Sequence, residues 1–344
     1  MSTLDLNVSL PVASQPKFDD FVEQGVLAEN LGFDHLWMSE TWGRNAVSVI
    51  SVLTERTDEI GLGTSILPIY SRSPALMGQT AATLQESSGG RFRLGVGSSS
   101  PTVVEGWHGV DYERPLRRKR EYIEIIKEVV RGGEVNYDGD IFDLAGFNLR
   151  FTPPSPPSVE AAGLGPKAVE LAGRFADGWH AVLFTPESYG ERYSDLQRGM
   201  ELGGRTEDDI RTNLMLTCCA LDDETRARKL ARQHAAFYIG AMGTYYRDSL
   251  ARQGYEETAY HVHVAWWNGD KQEAIDSVTD ELLDALAAAG SPEKAKENLR
   301  RFAEIDELDE ITLLFPRGAT AEEVEETMEK MSPENMDWNE EAPS

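Results

Sequence analysis

Residues 60–97 read IGLGTSILPIYSRSPALMGQTAATLQESSGGRFRLGVG. The opening run, IGLGTSI over 60–66, is short, apolar and rich in small residues, the pattern of a strand buried on both faces. Pro68 and Pro74 break it. Ser73 ahead of Pro74 is a helix start: a capping hydroxyl, then a residue whose φ suits the first helical position. The spacing predicts a helix over 75–87, stopped by Ser88, Gly89 and Gly90, and a second buried strand over 91–97. Strand, crossover helix and strand at this spacing make a βαβ unit with parallel neighbours. Ligands in parallel α/β folds bind beyond the carboxyl ends of the strands. Thr64 and Ser65 at the end of the first strand, with Ile66 beyond them, and Gly97, Ser98 and Ser99 at the end of the second therefore mark the candidate site.

The alternation extends both ways. Strands are expected at 6–10, 35–39, 60–66, 91–97, 159–162, 178–184, 211–220 and 311–315. Helices are expected at 18–31, 45–57, 75–87, 114–131, from the 163–167 turn to 176, and at 186–202, 222–254, 269–289, 292–304 and 320–331. Residues 135–151 alternate weakly around Asp138-Gly139, which reads as a hairpin. Eight strands, most followed by a helix, are most simply closed into a (β/α)8 TIM barrel. The expected organisation is one α/β domain over 1–332, with insertions at about 98–113, 132–158 and 221–290, and a polar tail over 333–344. A doubly wound open sheet is the alternative, but the turn after the first strand lacks a Gly-rich dinucleotide fingerprint.

The 344 residues carry a formal net charge of -26, from 59 acidic against 33 basic side chains. Such a field repels nucleic acid. The acid is spread over many helices, as on the solvated surface of a protein from a salty, halophilic cytoplasm; an ordinary acidic enzyme is the alternative. No apolar run approaches the ~20 residues of a membrane span. The opening MSTLDL lacks the charged and apolar regions of a signal peptide, so a cytoplasmic location is expected. Cys218 and Cys219 are adjacent on an expected strand and face opposite ways, which disfavours a disulfide or a shared metal.

Four features carry chemistry. Gly163, Leu164, Gly165 and Lys167 lie in a strand-to-helix turn, where free N–H groups and small residues suit a phosphate; a plain turn is the alternative. Glu40 and Thr41 follow the second strand, where a carboxylate can bind a cofactor ring, handle a proton or simply cap a helix. Ser98 and Ser99 supply hydroxyls at the same rim, or only a turn. His108, after Trp107, lies in a rim loop within reach of substrate. His35 and His180 each begin a strand and read as satisfied core or rim groups. His261 and His263, two apart between expected helices, would share a strand face, but no third ligand can be named, so no metal is expected. No Ser/His/Asp arrangement can be assembled from spacing.

Three segments, GLGTSILPIYSRSP (61–74), SSGGRFRLGVGSS (87–99) and GLGPKAVELAGRFADGW (163–179), resemble signature segments of the luciferase-like superfamily. AENLGFDHLWMSET (28–41) and FPRGATAEEVEE (315–326) fit too, so the resemblance runs in order along nearly the whole chain. FYIGAMGTYYRDSLARQGY (237–255) and GSPEKAKENLRRF (290–302) add a likeness to the branch using the deazaflavin coenzyme F420, especially archaeal methylenetetrahydromethanopterin reductase-like proteins. The resemblance implies a (β/α)8 barrel, usually dimeric or larger, so a homodimer or homotetramer is expected. It implies hydride transfer between the deazaflavin and a small organic substrate, such as a methylenetetrahydropterin or folate. Ser65–Ile66 matches the place of a non-prolyl cis peptide behind the deazaflavin ring, and Glu40 matches the acidic residue near that ring. Thr64 and Gly97 flank these positions. Ser98, Ser99 and the 163–167 turn match segments holding the cofactor's side chain and phosphate. Thr41 stands where some relatives have a ring-adjacent His, and Ser9 near a strand-one Glu of the methylene reductases, so Glu40, His108 or a water would move the proton here, or the substrate differs. An FMN-dependent monooxygenase is one competing expectation. A non-catalytic barrel scaffold, with Trp42 or Trp107 blocking the mouth, is the other.

Overall fold

The computed structural model describes residues 4–10 and 17–336. The strands are β1 Asp5–Ser9, β2 His35–Met38, β3 Gly61–Thr64, β4 Leu67–Pro68, β5 Phe92–Gly97, β6 Val135–Asp138, β7 Asp143–Phe147, β8 Ser158–Ala162, β9 Gly178–Val182, β10 Arg211–Ala220, β11 Ala287–Gly290 and β12 Glu310–Leu314. The main sheet runs β11-β10-β12-β1-β2-β3-β5-β8-β9, with β4 on β5 and a further β9–β10 pairing. This is the strand order of a (β/α)8 barrel, and the eight expected strands supply it as β1, β2, β3, β5, β8, β9, β10 and β12. By internal contacts the chain forms two compact units, one of residues 1–34, 181–193 and 213–344, the other of residues 35–180 and 194–212.

In the second unit the βαβ reading of 60–97 holds: β3 and β5 are parallel, Leu62 against Phe92 and Gly63 against Arg93. Ser73 caps the Pro74–Ser87 helix by accepting from the Leu76 N–H, and Gly89 and Gly90 leave it with positive φ. The small residues of β3 have a packing reason. His35 and Trp37 of β2 pair with Gly61 and Gly63. A Cβ on Gly61 would lie 1.8 Å from the His35 ring, and one on Gly63 2.4 Å from the Trp37 ring. Large rings on one strand thus occupy the space that glycine leaves on the next. The strand expected over 60–66 is divided. After Thr64 the ladder breaks, and the Thr64 hydroxyl bridges the gap by donating to Gly95 O (2.9 Å) and accepting from Gly95 N–H (3.0 Å). β4 then resumes pairing, Leu67 against Val96 and Pro68 against Gly97.

The 135–151 excursion is the antiparallel hairpin β6–β7. Its turn hangs on Glu121 of the Pro115–Arg131 helix, whose buried carboxylate accepts the N–H groups of Asp140, Ile141 and Phe142. The loop expected over 98–113 contains a short helix, Pro101–Gly106.

The first unit corrects two expectations. Residues 261–267, expected to lie between two helices, are part of the Glu256–Trp267 helix, whose buried Ala259, Val262 and Ala265 recur every three residues. His261 and His263 therefore share no strand face. Trp266 packs on Gly240, where a Cβ would lie 2.7 Å from it, while Trp267 is exposed. The Asp280–Leu286 helix does not continue to 289: Ala287–Gly290 is β11, parallel to the end of β10. Alanine favours helix, but its small side chain also fits against Cys218 and Cys219, and tertiary pairing overrides propensity. Of the expected tail, residues 333–335 form a 3-10 turn, and 337–344 lie outside the described residues.

Candidate active site

Glu40 follows β2 and is nearly buried. Its carboxylate receives both terminal nitrogens of Arg72, at 2.6 and 3.0 Å. It also accepts from Asn45 Nδ2 (2.9 Å) and from the backbone N–H of Ala46 (3.1 Å), the first residue of the Ala46–Leu53 helix. Its own N–H donates to Ile66 O. A carboxylate with four donors is a clamp: a forked guanidinium pair and a helix N-terminus hold it in place. Tyr122 steadies Arg72 by donating to its carbonyl (3.0 Å).

The Ser65–Ile66 peptide is cis, as the resemblance implies. Ser65 N–H donates to Met38 O, tying this bond to the end of β2. A Cβ on Gly97 would lie 2.7 and 2.8 Å from Ile66 Cγ1 and Cδ1, so the glycine makes room for that side chain.

Ser65 is also hydrogen-bonded to His180. Its Oγ lies 3.0 Å from His180 Nδ1, and His180 Nε2 lies 2.8 Å from Glu160 Oε2. Glu160 Oε1 accepts from Arg93 Nε (2.5 Å) and Ser158 Oγ (3.0 Å). Burial alone would push the Glu160 carboxyl up, but the Arg93 charge and the His180 hydrogen bond outweigh it and hold the group well below the usual carboxylate range. Trp37 and His180 meet edge to face with centroids 4.6 Å apart, and the Arg93 guanidinium lies 4.7 Å over the Trp37 ring. His35 is driven well below the usual histidine range by burial and then by Arg93.

At the end of β8 the 163–167 turn leads into the Pro166–Phe175 helix. Trp179 Nε1 donates to Gly163 O, and a Cβ on Gly163 would press within 3.0 Å of Ala168. Among the described residues no protein acceptor takes the N–H of Leu164, Gly165 or Lys167. Lys167 itself is exposed. The buried cation beside this turn is Lys119, whose Nζ donates to Ala162 O at 2.7 Å. Burial lowers its pKa to about 8.

Thr41, Ser98 and Ser99 are half-buried, and Ser99 has a φ of 58°. His108 follows the Pro101–Gly106 helix, and its Nε2 is buried with no hydrogen-bond partner. Trp42 and Trp107 are 42% and 63% exposed. The structure thus joins Ser65, Glu40, Ile66 and Gly97 at the ends of β2 to β5, and shows no bond from His108 to any of them. Sequence reasoning missed Glu160, Arg72 and Lys119, and read His180 only as a satisfied group. The available signals were a carboxylate inside the apolar strand SVEAA and a lysine in register with Tyr122 and Ile126 on a core-facing stripe.

The family model for luciferase-like monooxygenases matches residues 1–306. The 5,10-methylenetetrahydromethanopterin reductase of Archaeoglobus fulgidus is 32% identical over 283 residues, covering 80% of this chain and 84% of that protein. Among solved structures, the coenzyme F420-dependent tetrahydromethanopterin reductase of Methanopyrus kandleri superposes with a TM-score of 0.82 at 21% identity, covering 96% of this chain and 98% of that one. An F420-dependent secondary alcohol dehydrogenase in complex with an F420–acetone adduct gives 0.79 at 18% identity, covering 98% and 100%. At such identities the structures speak for the barrel fold. With the signature segments in order along the chain, the chain belongs to the luciferase-like monooxygenase family.

Proposed function

We propose that this chain is a coenzyme F420-dependent oxidoreductase that passes a hydride between the deazaflavin and a small organic substrate. The observation that carries the reading is the donor set after β8: the unpaired N–H groups of Leu164, Gly165 and Lys167 at a helix N-terminus, beside the buried ammonium of Lys119. That set fits the phosphate of a cofactor side chain. A Mycobacterium tuberculosis relative, 30% identical over 316 residues and named a coenzyme F420-dependent oxidoreductase, favours the deazaflavin over FMN.

When bound, the deazaflavin supplies two-electron hydride chemistry that no side chain provides. The protein's residues bind and orient. Ile66, backed by Gly97, and Ser65 form a surface at the ends of β3 and β4. Glu40 holds Arg72 and the Ala46–Leu53 helix in place beside it. Ser98 and Ser99 offer hydroxyls, and His108 keeps a buried Nε2 with bonding capacity to spare. The substrate class we assign is a compound that takes or yields hydride at carbon, with a methylenetetrahydropterin first on the name of the A. fulgidus relative.

The test is an anaerobic assay following the deazaflavin absorbance, with methylenetetrahydromethanopterin, methylenetetrahydrofolate and secondary alcohols offered in turn. Turnover with one of them is expected. No change in the deazaflavin there, with oxygen uptake driven by reduced FMN in a parallel aerobic assay, would move the chain to the monooxygenase reading.

A further inference from the structure

The Ser65–His180–Glu160 chain is more than packing. Glu160 is completely buried, and Arg93 keeps it ionised. A carboxylate only accepts, so His180 Nε2, 2.8 Å away, carries the proton of that bond. When the ring carries only that proton, Nδ1 presents a lone pair, and the Ser65 hydroxyl, 3.0 Å away, is the donor to it. Carboxylate, imidazole and hydroxyl are thus in series, the hydroxyl at the end of β3 among the residues assigned to the cofactor. Gly95 lies beside the ring, where a Cβ would come to 3.5 Å from Nε2. The ring is braced by a T-shaped contact with Trp37.

We propose that Ser65, His180 and Glu160 form a proton relay, in which a ligand N–H or O–H bound against Ser65 exchanges its proton with His180. The proposal rests on the reading of this site as one for hydride transfer, where a proton must accompany the hydride. Inward, the ligand proton bonds to Ser65 Oγ as the Oγ–H proton passes to Nδ1. One bond to hydrogen breaks at the ligand and one forms at Nδ1, and no electrons change hands. The product is an imidazolium held between Glu160 and Ser65, and outward transfer is the reverse. The charged and titratable groups facing His180 are Glu160 on β8, Arg93 on β5 and His35 on β2. His35 stays neutral through burial and, after it, the Arg93 charge. Ser65 is the catalytic residue of this set, because it touches the ligand. His180 and Glu160 act through it.

The first arm of the test needs no cofactor. In the apo protein labelled with 15N-histidine, the His180 signals are identified by their loss in His180→Gln. The relay requires the Nε2–H tautomer and an Nδ1 shift that moves in Ser65→Ala. The second arm uses the protein loaded with coenzyme F420. Ser65→Ala and His180→Gln are each expected to slow hydride transfer about 10²-fold. Affinity for F420, read by fluorescence, should change less than about tenfold, the scale of one lost hydrogen bond. Both variants should lose the limb of the pH–rate profile that follows the NMR titration of His180, and Ser65→Thr should recover it. An Nδ1–H tautomer, or variants that keep the wild-type limb, would overturn the relay. If the chain does not bind F420 at all, the functional reading fails, and the tautomer in the apo protein still decides the relay.

Discussion

Glu40 shows how a residue's surroundings limit its role. Its carboxylate is occupied by Arg72, Asn45 and the N–H of Ala46. The side chains of the pair are only 14% and 10% exposed, so losing one partner strands the other. Glu40→Gln puts an amide donor against the guanidinium and should cost about 3 kcal/mol of stability, near the lower end for breaking a buried pair. Chemical denaturation of wild type and variant checks this. A variant as stable as wild type but slower in turnover would instead make Glu40 a proton-transfer group. At this scale the sequence was only partly legible. Thr64, Ser65 and Gly97 announce themselves because strand ends in parallel folds carry sites. Ser65 and His180 lie 115 residues apart, and no local pattern links them. Only the parallel pairing of β8 with β9, Ala162 against His180, brings the ring beside Glu160.

Among elements, the Pro115–Arg131 helix buries a lysine against the end of β8. Burial lowers the Lys119 pKa from 10.5 to about 8. Between those values the unfolded chain holds more protons than the folded one, so this group makes stability rise with pH from about 8 to 10.5. Below pH 8 its burial costs about 3 kcal/mol, offset in part by the bond to Ala162 O, worth about 1 kcal/mol. Lys119→Met should therefore melt higher than wild type at pH 7 and show a flatter pH dependence above 8, by calorimetry of the apo protein. The same rise in both proteins would contradict this assignment. The βαβ unit over 60–97 was legible because its stop signals are strong: Ser73-Pro74 at one end of the helix and Gly89-Gly90 at the other. The Glu256–Trp267 helix was not, because His-Val-His-Val alternates like a strand, and only packing on Gly240 shows the helical stripe. β11 was hidden by three alanines that read as helix.

For the whole molecule, the net charge of -26 sets the salt response. We infer a protein adapted to high salt. Surface pairs such as Arg117–Asp140 and Arg198–Glu170 weaken when screened, but each is worth only about 0–1 kcal/mol. Self-repulsion acts among all the unpaired acids, and its range grows from about 3 Å at 1 M to about 30 Å at 0.01 M. Repulsion should win, so the melting temperature should fall steadily as KCl is dialysed away. A melting temperature that is flat or rises at low salt would return the chain to the ordinary acidic enzymes.

We propose the strand ends of β2 to β8 as the seat of a deazaflavin. The most direct measurement is a fluorescence titration of the purified chain, in molar salt, against coenzyme F420 and FMN in parallel. Saturable binding of F420, with FMN at least tenfold weaker (about 1.4 kcal/mol), is the predicted result. Preference for FMN, or binding of neither, would contradict it.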